Sequence, residues 1–509
     1  MTYDGMELAA VRAAYEEPRP IRLPQPGLGL KARRAFECVT TGAKRTAPAL
    51  LPGRFRQPGR TIPRAIRETF EDLGATYVKF GQVIASAPAV IPEAISDEFR
   101  TCLDEGPPVP FASVRAAVER DTGRTLEDAF AHFERTPLAS ASIAVVHRAR
   151  LHDGREVVVK VLRPRMAEIV SGDLALLEPV SRFFARQGSE IAYNAVSYLV
   201  GLRSQVAEEL DLQNEVRTMA YFRTLYGEFG LSKLVIPEAV PELSGPSVLT
   251  MEYLDGVPVD DLAGAEALGV DPGPLVEELL KAWMLCAMGP GVFHADIHAG
   301  NLLVLRDGRL GVLDWGIVAR LQEDSQQLFR SLVEAALGSD EAWDYIADSV
   351  VRAQGSLMQD GYGLSREEIR DLTRQLMEPV LTKPMSEVSM AALFMNPEKA
   401  AELNQGIAAP KRTLRERWEW NRQQARAIRI ALNEGLFEAE FQRWTFLAAK
   451  QLLYLERYAR MYLPDQALLG DHEFLRSVLD KQQGGLGGQP AAGMAEGKED
   501  DIAADAAGR

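Results

Sequence analysis

The sequence predicts an α+β protein of two lobes, with an N-terminal helical extension and a mostly helical C-terminal region. Three observations predict this class. A helical pattern covers residues 62–87, ahead of any strand signal. Two strand-like runs, 143–151 and 156–162, flank an Asp153-Gly154 pair that is typical of hairpin turns. After residue 322 the pattern is almost entirely helical.

The order of these patterns divides the chain into five segments. Residues 1–60 are rich in proline and are predicted to form an irregular basic leader. Residues 61–135 form the helical extension, and residues 136–255 form a small strand-rich lobe with inserted helices. Residues 256–480 form the larger helical lobe and the C-terminal helices. Residues 481–509, Gly/Ala-rich and then acidic, are predicted to be disordered.

Each element within these segments has its own signal. Pro88 and Pro92 interrupt the first helical pattern. The further expected elements are a helix over 111–133, helices over 166–229, two short strands within 235–253, an apolar helix over 275–288 and a hairpin over 302–313.

Charge and cysteine content limit the partners. The formal net charge of -15 over 509 residues argues against a general affinity for nucleic acid. Residues 1–60 nevertheless carry eleven Lys/Arg against five Asp/Glu, which fits either a weak attraction to anionic lipid or a solvated basic leader. Three cysteines without CxxC spacing predict neither a zinc site nor a disulfide framework, and fit a reducing compartment.

Hydropathy favours a soluble protein. The N-terminus lacks an apolar core for a signal peptide. No uncharged apolar run reaches the ~18 residues that span a bilayer. We therefore expect a cytoplasmic protein whose contact with a membrane, if any, is peripheral.

Residues 294–316 contain a candidate metal site. Four residues separate Asp296 from Asn301, and a hairpin follows that ends at Asp314. A two-residue turn at Asp307-Gly308 would place Asn301 directly opposite Asp314, with Cβ atoms about 5 Å apart. An amide oxygen and a carboxylate at one end of a hairpin suit Mg²⁺, and Asp296 would face the acceptor, as in kinases. Taken singly, Asp296 is more simply a capping or turn residue, and Asn301 is more simply a turn residue at a strand start.

Two histidines flank Asp296. His294 is predicted to brace the loop through backbone hydrogen bonds, and His298 is predicted to be exposed. No His/Cys cluster indicates zinc.

Lys160 marks a candidate phosphate site. It ends the apolar run 157–159, and a lysine on a buried strand is costly unless its charge meets an anion. Kinases use such a lysine to hold the α- and β-phosphates and pair it to a helix glutamate. Candidate carboxylates lie in 208–215, where Asp211 and Glu215 would share a helix face. The alternative is a lysine at a strand edge that reaches water.

The loop before the first strand pair is made of small residues. Ala139, Ser140, Ala141 and Ser142 lie where a kinase carries its Gly-rich loop, and small side chains let the backbone approach phosphates. Alanine does not readily take positive φ, which is a poor match to an ordinary protein kinase. The whole layout is nevertheless that of a kinase with additions, so the sequence predicts a bilobal protein-kinase-like fold.

A short motif in the extension makes the prediction more specific. In Lys79-Phe80-Gly81-Gln82, Lys79 and Gln82 share a helix face and Gly81 allows close packing. With the motifs above, it resembles the Lys-x-Gly-Gln signature of the UbiB/AarF family of atypical kinase-like proteins, over about residues 61–322. The resemblance implies that the extension folds over the active site and that Lys79 reaches the nucleotide pocket.

The resemblance also implies roles for individual residues. Glu209 and Asp211 match the family's Glu-x-Asp motif, near which the extension lysine lies. Glu252 and Leu254 lie where the hinge between the lobes contacts adenine through its backbone. The remaining matches are the Ala-rich loop from Ala139 to Ser142, Glu215 as the partner of Lys160, Asp296 as the catalytic residue, and Asn301 and Asp314 as the metal ligands.

The sequence departs from the family pattern at two positions. Val145-Val146-His147 replaces the usual Gln-Val-His, which leaves nucleotide preference and loop geometry open. Asp314-Trp315-Gly316 replaces Asp-Phe-Gly, and a tryptophan can fill the place of the phenylalanine.

The function implied by the resemblance is binding of ATP or ADP with Mg²⁺ and weak or conditional ATP hydrolysis, without phosphorylation of proteins. It further implies a link to isoprenoid-quinone or lipid metabolism. The expected partners are nucleotide, an anionic membrane or isoprenoid lipid, and lipid-biosynthesis proteins. Two alternatives stay open: a small-molecule phosphotransferase with the same Asp-x4-Asn loop, and a catalytically silent nucleotide-binding scaffold.

Overall fold

The computed structural model describes most of both lobes and part of the leader. The described residues are 14–50, 61–85, 98–99, 108–186, 190–355, 365–388 and 439–486. The predictions for Pro88 and Pro92 and for most of the acidic tail lie outside these residues.

The leader contains a long helix, so the prediction of an irregular segment was wrong. Helix α1 covers Leu28–Thr46, and a 3₁₀ turn follows at Ala47–Leu50. The prolines of the leader lie before Gly27 and from Pro48 onward, and the stretch between them is free of proline. A proline-free stretch can form uninterrupted helical hydrogen bonds, so the prolines on either side were a poor guide to the structure of Leu28–Thr46.

The extension continues with two helices that meet at a glycine. Helix α2, Ile62–Leu73, begins at Thr61, whose side chain accepts a hydrogen bond from the Arg64 N–H at 3.3 Å. Gly74 has φ 94°, a conformation that favours glycine, and separates α2 from α3, Ala75–Ala85. Helix α1 packs on α2 and on an inserted helix of the small lobe.

The second helical stretch of the extension ends earlier than predicted. Helix α4 covers Phe111–Thr122, because Gly123 adopts φ 66° and closes it. A short helix α5, Leu126–Ala129, and strand β1, His132–Phe133, follow. Val114 and Val118 of α4 pack against the valines of the small-lobe sheet, so this part of the chain covers one face of that sheet.

An antiparallel sheet forms the small lobe. Its order is β1-β3-β4-β6, with β2 paired to β3, where β2 is Ala139–Ser140, β3 is Ala144–Arg150, β4 is Glu156–Leu162 and β6 is Val248–Glu252. Lys160 lies on the central strand, opposite Val146 on one side and Leu249 on the other. The lysine is therefore held at a fixed position within the sheet.

Three inserted helices connect β4 to the rest of the sheet: α6, Met166–Arg186; α7, Glu190–Glu209; and α8, Leu212–Glu228. The helix is interrupted between α7 and α8, so the prediction that Asp211 and Glu215 share a helix face was wrong. Asp211 is the N-cap of α8, and its carboxylate accepts a hydrogen bond from the Gln213 N–H at 3.1 Å. Glu215 lies one turn into α8.

The large lobe carries two small sheets around an apolar helix. The strand order is β5-β10-β9-β7 in one sheet and β11-β8 in the other. Its elements are β5 Leu234–Val235, β7 Gly256–Pro258, α9 Leu262–Leu268, α10 Gly273–Met288, β8 Val292–His294, β9 Leu302–Leu305, β10 Leu310–Val312 and β11 Val318–Arg320.

The register of the β9–β10 hairpin differs by one residue from the prediction. The Leu305 N–H donates to Arg309 O at 2.8 Å, so three residues form the loop rather than two. Gly308 has φ 81°, as expected for the left-handed position that ends such a loop. Asn301 therefore lies opposite Leu313, whose N–H donates to Asn301 O at 2.8 Å, and Asp314 lies one residue further along.

Helices complete the fold after β11: α11 Glu323–Ala336, α12 Glu341–Gly355, α13 Arg366–Thr382, α14 Ala439–Tyr462 and α15 His472–Leu486. Helix α14 packs on α10 and α7. Among the described residues, no helix is both long enough and apolar enough to cross a bilayer.

Candidate active site

Lys160 lies between two carboxylates contributed by different lobes. Its Nζ is 2.9 Å from Glu215 Oε2 and 2.9 Å from Asp314 Oδ1. The other Glu215 oxygen accepts a hydrogen bond from the Trp315 N–H at 3.2 Å. Glu215 is almost fully buried, whereas the Asp314 side chain keeps 44% of its exposure. The exposed carboxylate is therefore the one that an incoming cation can reach.

The three groups shift one another's ionisation. Burial alone would lower the pKa of Lys160, but Asp314 and Glu215 outweigh it and raise that pKa, so the ammonium stays charged. Burial would raise the pKa of Asp314, yet Lys160 holds it below its usual range. Burial raises the pKa of Glu215 to about 7, and Lys160 opposes that rise. Two carboxylates share one ammonium, which leaves the corner electronegative toward a further cation.

The backbone at Asp314 is turned sharply. Asp314 has φ 51°, the left-handed region that non-glycine residues enter at a cost of roughly 1–2 kcal/mol. The next residue, Trp315, is buried; its ring lies 4.4 Å from Phe222 and 4.5 Å from His294 between centroids, and its Nε1–H donates to Val312 O at 2.9 Å. The anchored tryptophan holds the turn that aims Asp314 at Lys160.

His294 braces the loop that carries Asp296, as the sequence predicted. Its Nδ1 accepts a hydrogen bond from the Asp296 N–H at 3.0 Å, so its Nε2 carries the proton and donates to Leu313 O at 2.9 Å. Burial lowers the pKa of His294, which favours this neutral form. The imidazole thus ties the Asp296 loop to the strand end that precedes Asp314.

Asn301 is buried beside Asp296. Its Nδ2 donates to Asp296 O at 2.9 Å. This bond uses the amide nitrogen and leaves the Oδ1, the atom that ligates cations, outside it. Asp296 itself is half-buried.

Two residues of α14 also hold this loop, and neither was predicted as a site residue. Gln451 accepts a hydrogen bond from the Ile297 N–H at 3.0 Å and donates to Ala295 O, and Tyr458 OH donates to Ile297 O at 2.9 Å. The side chain of Gln451 is fully buried. The peptides on both sides of Asp296 are therefore fixed by one helix. A buried amide on an otherwise apolar face was the available signal, but nothing in the sequence indicated its partner.

The Ala-rich loop is held from below by an arginine that sequence reasoning missed. Ala139 and Ser140 pair with Val146 and Val145 as β2, and the Ala141 N–H donates to Ala144 O at 2.9 Å. Arg163 is buried; its Nε donates to Ala141 O at 2.9 Å and its NH2 to Ser140 Oγ at 2.8 Å. Ser142 is also buried. An arginine directly after an apolar strand was the sequence signal.

The extension reaches the site through Lys79. Its Nζ lies 2.8 Å from Glu209 Oε2, and Gln205 Nε2 donates to the other Glu209 oxygen at 2.8 Å. The Lys79 ammonium also contributes to lowering the pKa of Asp314. Gln82 lies on the same helix, but its side chain is outside the described part of the chain. Of the two residues of the Glu-x-Asp motif, Glu209 contacts Lys79, and Asp211 caps α8.

The leader also contacts the helix that carries Glu215. The Arg19 N–H donates to Asn214 Oδ1 at 2.8 Å, and Asn214 Nδ2 donates to Arg19 O at 3.1 Å. The Ile21 N–H donates to Ala207 O at 2.8 Å. The chain before α1 therefore crosses the junction of α7 and α8, a contact that no pattern in the leader predicted.

The connection between the lobes contains the predicted hinge residues. The Glu252 N–H donates to Glu238 O at 2.8 Å, and the Glu252 side chain is exposed. A Cβ built at Gly311 would lie 2.9 Å from Leu254 Cδ1, so the glycine leaves the room that Leu254 occupies. Leu254 thereby anchors the connection to the β9–β10 hairpin.

The donor set fits a cation that takes most of its ligands from elsewhere. Among the described residues, no group of three or more His, Cys, Asp or Glu side chains could hold a metal ion. Asn301 and the half-exposed Asp314 carboxylate can each supply an oxygen ligand. Their positions are close in the hairpin, because Asn301 pairs with Leu313, the residue before Asp314. Mg²⁺ is commonly bound by one or two protein oxygens together with phosphates and water, so this set fits it.

A two-lobed fold with a strand lysine paired to a helix glutamate, and an Asp and an Asn on one loop, defines a protein-kinase-like protein. The model of the ABC1 atypical kinase-like domain matches residues 101–343. The chain is also 33% identical over 418 residues to the chloroplastic aarF domain-containing protein kinase At5g05200 of Arabidopsis thaliana, covering 82% of this chain and 74% of that protein. This chain belongs to the UbiB/AarF family of ABC1 atypical kinase-like proteins.

Bacterial relatives extend the match. The chain is 32% identical over 448 residues to the uncharacterized protein Rv0647c of Mycobacterium tuberculosis, covering 86% of this chain and 83% of that protein. It is 32% identical over 339 residues to the probable protein kinase UbiB of Xylella fastidiosa, covering 65% and 60%. A solved structure, described as a complex of Rv3197 with erythromycin from Mycobacterium tuberculosis, matches with a TM-score of 0.42 and 23% identity over 77% of this chain and 93% of that chain.

Proposed function

We propose that this chain binds ATP or ADP with Mg²⁺ and hydrolyses ATP under restricted conditions. The observation that carries the proposal is the convergence of Lys160, Glu215 and Asp314, with both carboxylates 2.9 Å from one ammonium. A lysine held between a buried and an exposed carboxylate can keep Glu215 as its permanent partner and turn its remaining donors to phosphate oxygens.

Asn301 and Asp314 would hold the metal ion. Bound there with nucleotide, Mg²⁺ would neutralise phosphate charge. Asp314 would exchange Lys160 for the cation, and Asn301 would offer its Oδ1, since its Nδ2 already bonds to Asp296 O. The backbone loop from Ala139 to Ser142 would cover the phosphates, and Glu252 and Leu254 would contact the base.

Asp296 is the candidate catalytic residue. Its carboxylate would orient the attacking water or hydroxyl and accept the proton that this group releases. The bonds from His294 and Gln451 to the adjoining peptides fix where this carboxylate lies. A general base that is held by several neutral hydrogen bonds does not have to be reoriented during turnover.

The extension makes the activity conditional. The Lys79–Glu209 contact of 2.8 Å ties α3 to the end of α7, close enough to Asp314 to lower its pKa. A helix in this position leaves little room for a peptide substrate, so phosphorylation of proteins is not expected. The family resemblance supports a role in isoprenoid-quinone or lipid metabolism, alongside lipid-biosynthesis proteins.

Contact with an anionic membrane is part of the same proposal. Helix α1 exposes large apolar side chains, with Leu28, Phe36 and Val39 exposed by 85%, 69% and 70%. The same helix carries Lys31, Arg33, Lys44 and Arg45. Apolar side chains beside basic ones favour adsorption to anionic lipid surfaces.

A nucleotide-binding scaffold without turnover is a second candidate. One observation favours it: Lys160 and Lys79 both bear on Asp314, so two cations compete with the metal for that carboxylate. In this case nucleotide would bind and change the position of the extension without being hydrolysed.

The test is nucleotide binding and phosphate release by the purified chain, with and without Mg²⁺ and anionic vesicles, beside Asp296→Asn. We expect Mg²⁺-dependent binding in both proteins, and phosphate release that increases with vesicles only in the wild type. Binding without release under every condition supports the scaffold. Absence of Mg²⁺-dependent binding would contradict both candidates.

A further inference from the structure

A cavity lies beside the small-lobe sheet, at the end of β4 that follows Lys160. It has a volume of about 310 Å³ and is bounded by α4, the end of β4, the start of α6, the α7–α8 junction and the leader. This volume is within the usual range of ligand pockets, roughly 300–1,000 Å³. Its apolar wall includes Ile21, Val114, Ala117, Val161, Met166 and Leu210.

The charged residues that line this cavity are all basic among those described. Arg120, Arg163 and Arg165 line it, and none of the described residues that line it is acidic. The side chains of Arg120 and Arg165 are 63% and 67% exposed, so these two lie toward solvent. The Arg165–Glu168 ion pair is solvent-exposed on both sides, and such pairs rearrange at little cost. Arg120 pairs with the buried carboxylate of Asp121 and also donates to Ser247 Oγ, so these bonds hold it at the mouth of the cavity.

We propose that this cavity is a binding site for a small amphipathic anion, with an apolar body and one carboxylate or phosphate headgroup. The valine, leucine and methionine wall would take the body, and Arg120 and Arg165 would take the headgroup. Guanidinium groups bind carboxylate and phosphate through paired hydrogen bonds. A neutral ligand would gain only the apolar part of this interaction.

The backbone at the mouth supports a role for Arg165. It adopts φ 61°, and only one other non-glycine residue among those described, Asp314 of the active site, has a positive φ. Glycine would take this conformation without strain, whereas arginine does not. At Arg165, as at Asp314, a charged residue thus occupies a position whose backbone conformation favours glycine.

Two residues that line the cavity, Arg163 and Leu210, connect it to the nucleotide site. Arg163 connects it to the Ala-rich loop through Ala141 O at 2.9 Å and Ser140 Oγ at 2.8 Å. Leu210 lies between Glu209, the partner of Lys79, and the helix cap Asp211. Occupancy of the cavity would thus change the affinity for nucleotide, and this coupling rests on the proposed function. The binding site itself does not.

Binding is tested by calorimetric titration of the full chain with decanoate, and in parallel with decanol and inorganic phosphate. We expect decanoate to bind at least tenfold more tightly than either. Equal affinity for decanol would contradict the part of the proposal that requires an anionic headgroup. Equal affinity for inorganic phosphate would contradict the part that requires an apolar body. No binding of decanoate would overturn the site.

Two kinds of variant locate the binding. Ser113→Trp fills the cavity from α4, and its matched control, Ala112→Trp, places the same side chain at an exposed position of that helix that does not line the cavity. We expect decanoate affinity to fall at least tenfold in the first and to stay within twofold in the second. Arg165→Gly, which keeps the backbone conformation, should weaken decanoate but not decanol. Unchanged decanoate affinity in both Ser113→Trp and Arg165→Gly would place the ligand elsewhere and overturn the proposal.

The last arms separate ligand source and coupling. Displacement of decanoate by phosphatidylglycerol vesicles, but not by phosphatidylcholine vesicles, identifies a bilayer lipid as the source; no displacement by either identifies a free anion. Saturating decanoate should change ATP affinity two- to tenfold, and Ser113→Trp should remove the effect. If the chain binds no ATP, the proposed function fails while the decanoate titration still decides the site. If ATP binds and decanoate leaves its affinity unchanged, the coupling is wrong.

Discussion

Different kinds of interaction hold the two sides of the candidate active site, the side around Lys160 and the side around Asp296. On the side of Lys160, charged groups do the holding, since the Lys160 ammonium lies 2.9 Å from the carboxylates of both Glu215 and Asp314. On the side of Asp296, neutral groups do the holding, since His294 and Gln451 bond to the adjoining peptides at 3.0 Å. One side is a set of ion pairs that crosses between lobes, and the other is a hydrogen-bonded loop within a single lobe.

The difference indicates which side changes when nucleotide arrives. An ion pair with a half-exposed member can exchange one partner for another, because the incoming charge replaces the one that is lost. Buried neutral hydrogen bonds have no such replacement, and breaking one leaves a desolvated polar group. We therefore expect the side of Lys160 to rearrange and the side of Asp296 to keep its geometry. Four predictions test this contrast.

The largest effect is expected for Lys160→Met. Glu215 would be left buried without its cation and would have to bury an unpaired charge or take up a proton; loss of one member of a buried pair costs about 3–5 kcal/mol of unfolding free energy. Lys79→Met should cost about 1–2 kcal/mol, because Glu209 keeps the bond from Gln205. Chemical denaturation measures both, with the exposed Lys233→Met as the control, expected within about 0.5 kcal/mol.

The comparison between the two lysines decides how the charged side is built. Equal destabilisation by Lys160→Met and Lys79→Met would show that the extension is as integral to this side as the sheet is. A loss below about 1 kcal/mol for Lys160→Met would mean that Glu215 is readily accommodated without a cation, contrary to its burial.

The next effect concerns the exchange of partners at Asp314. Asp314→Asn should lower Mg²⁺-dependent ATP affinity by about 100-fold or more, because the amide removes the charge that the metal needs and leaves Lys160 with Glu215. Binding measured without Mg²⁺ should change far less. The matched control is Asp307→Asn, in the loop of the same hairpin, which should keep wild-type affinity. Equal losses with and without Mg²⁺ would assign Asp314 to the fold rather than to the metal.

A smaller effect is expected on the neutral side. Gln451→Leu removes the bonds to Ala295 and Ile297 and should lower the rate of ATP hydrolysis about tenfold, since misplacement of a catalytic group by even 1 Å is costly. ATP affinity should stay within twofold. Arg457→Gln, an exposed change on the same helix, should alter neither. A joint loss of rate and affinity would mean that α14 supports the fold of the whole lobe.

This contrast also explains what could be predicted from the sequence. Lys160 and Asp314 could be proposed from the sequence because a charged residue at the end of an apolar strand or hairpin needs a partner, and that need is visible locally. Gln451 was not found, because its partners Ala295 and Ile297 are more than 150 residues away and a neutral amide in a helix has no comparable local cost. Long-range pairing of neutral groups leaves little trace in a single sequence.

The wrong predictions have local causes. The β9–β10 register was wrong by one residue because the Asp-Gly pair fits both a two-residue loop and the last two positions of a three-residue loop. Asp211 was assigned to a helix face because the apolar periodicity continues across the break at Leu210, where only the cap distinguishes one long helix from two. The first error is one residue of register in the hairpin. The second is the helix break that makes Asp211 the N-cap of α8.

The smallest effect is the pH dependence of the neutral side. Burial lowers the pKa of His294 below its usual value, so below about pH 6.5 the unfolded chain binds a proton that the folded chain does not. The unfolding free energy should therefore fall as the pH is lowered from 6.5, by up to about 1.4 kcal/mol per pH unit, until the folded-state pKa is reached. Denaturation at pH 7.5, 6.5 and 5.5 measures this, and His294→Gln should show a weaker decrease below pH 6.5 than the wild type.

His147, also buried and with a lowered pKa, lies in the other lobe and serves as the comparison through His147→Gln. Both substitutions should flatten the profile, but only His294→Gln should also slow ATP hydrolysis, because only that histidine bonds to the Asp296 peptide. A profile that is unchanged in His294→Gln would mean that this imidazole binds a proton equally well in the folded and the unfolded chain, contrary to its burial.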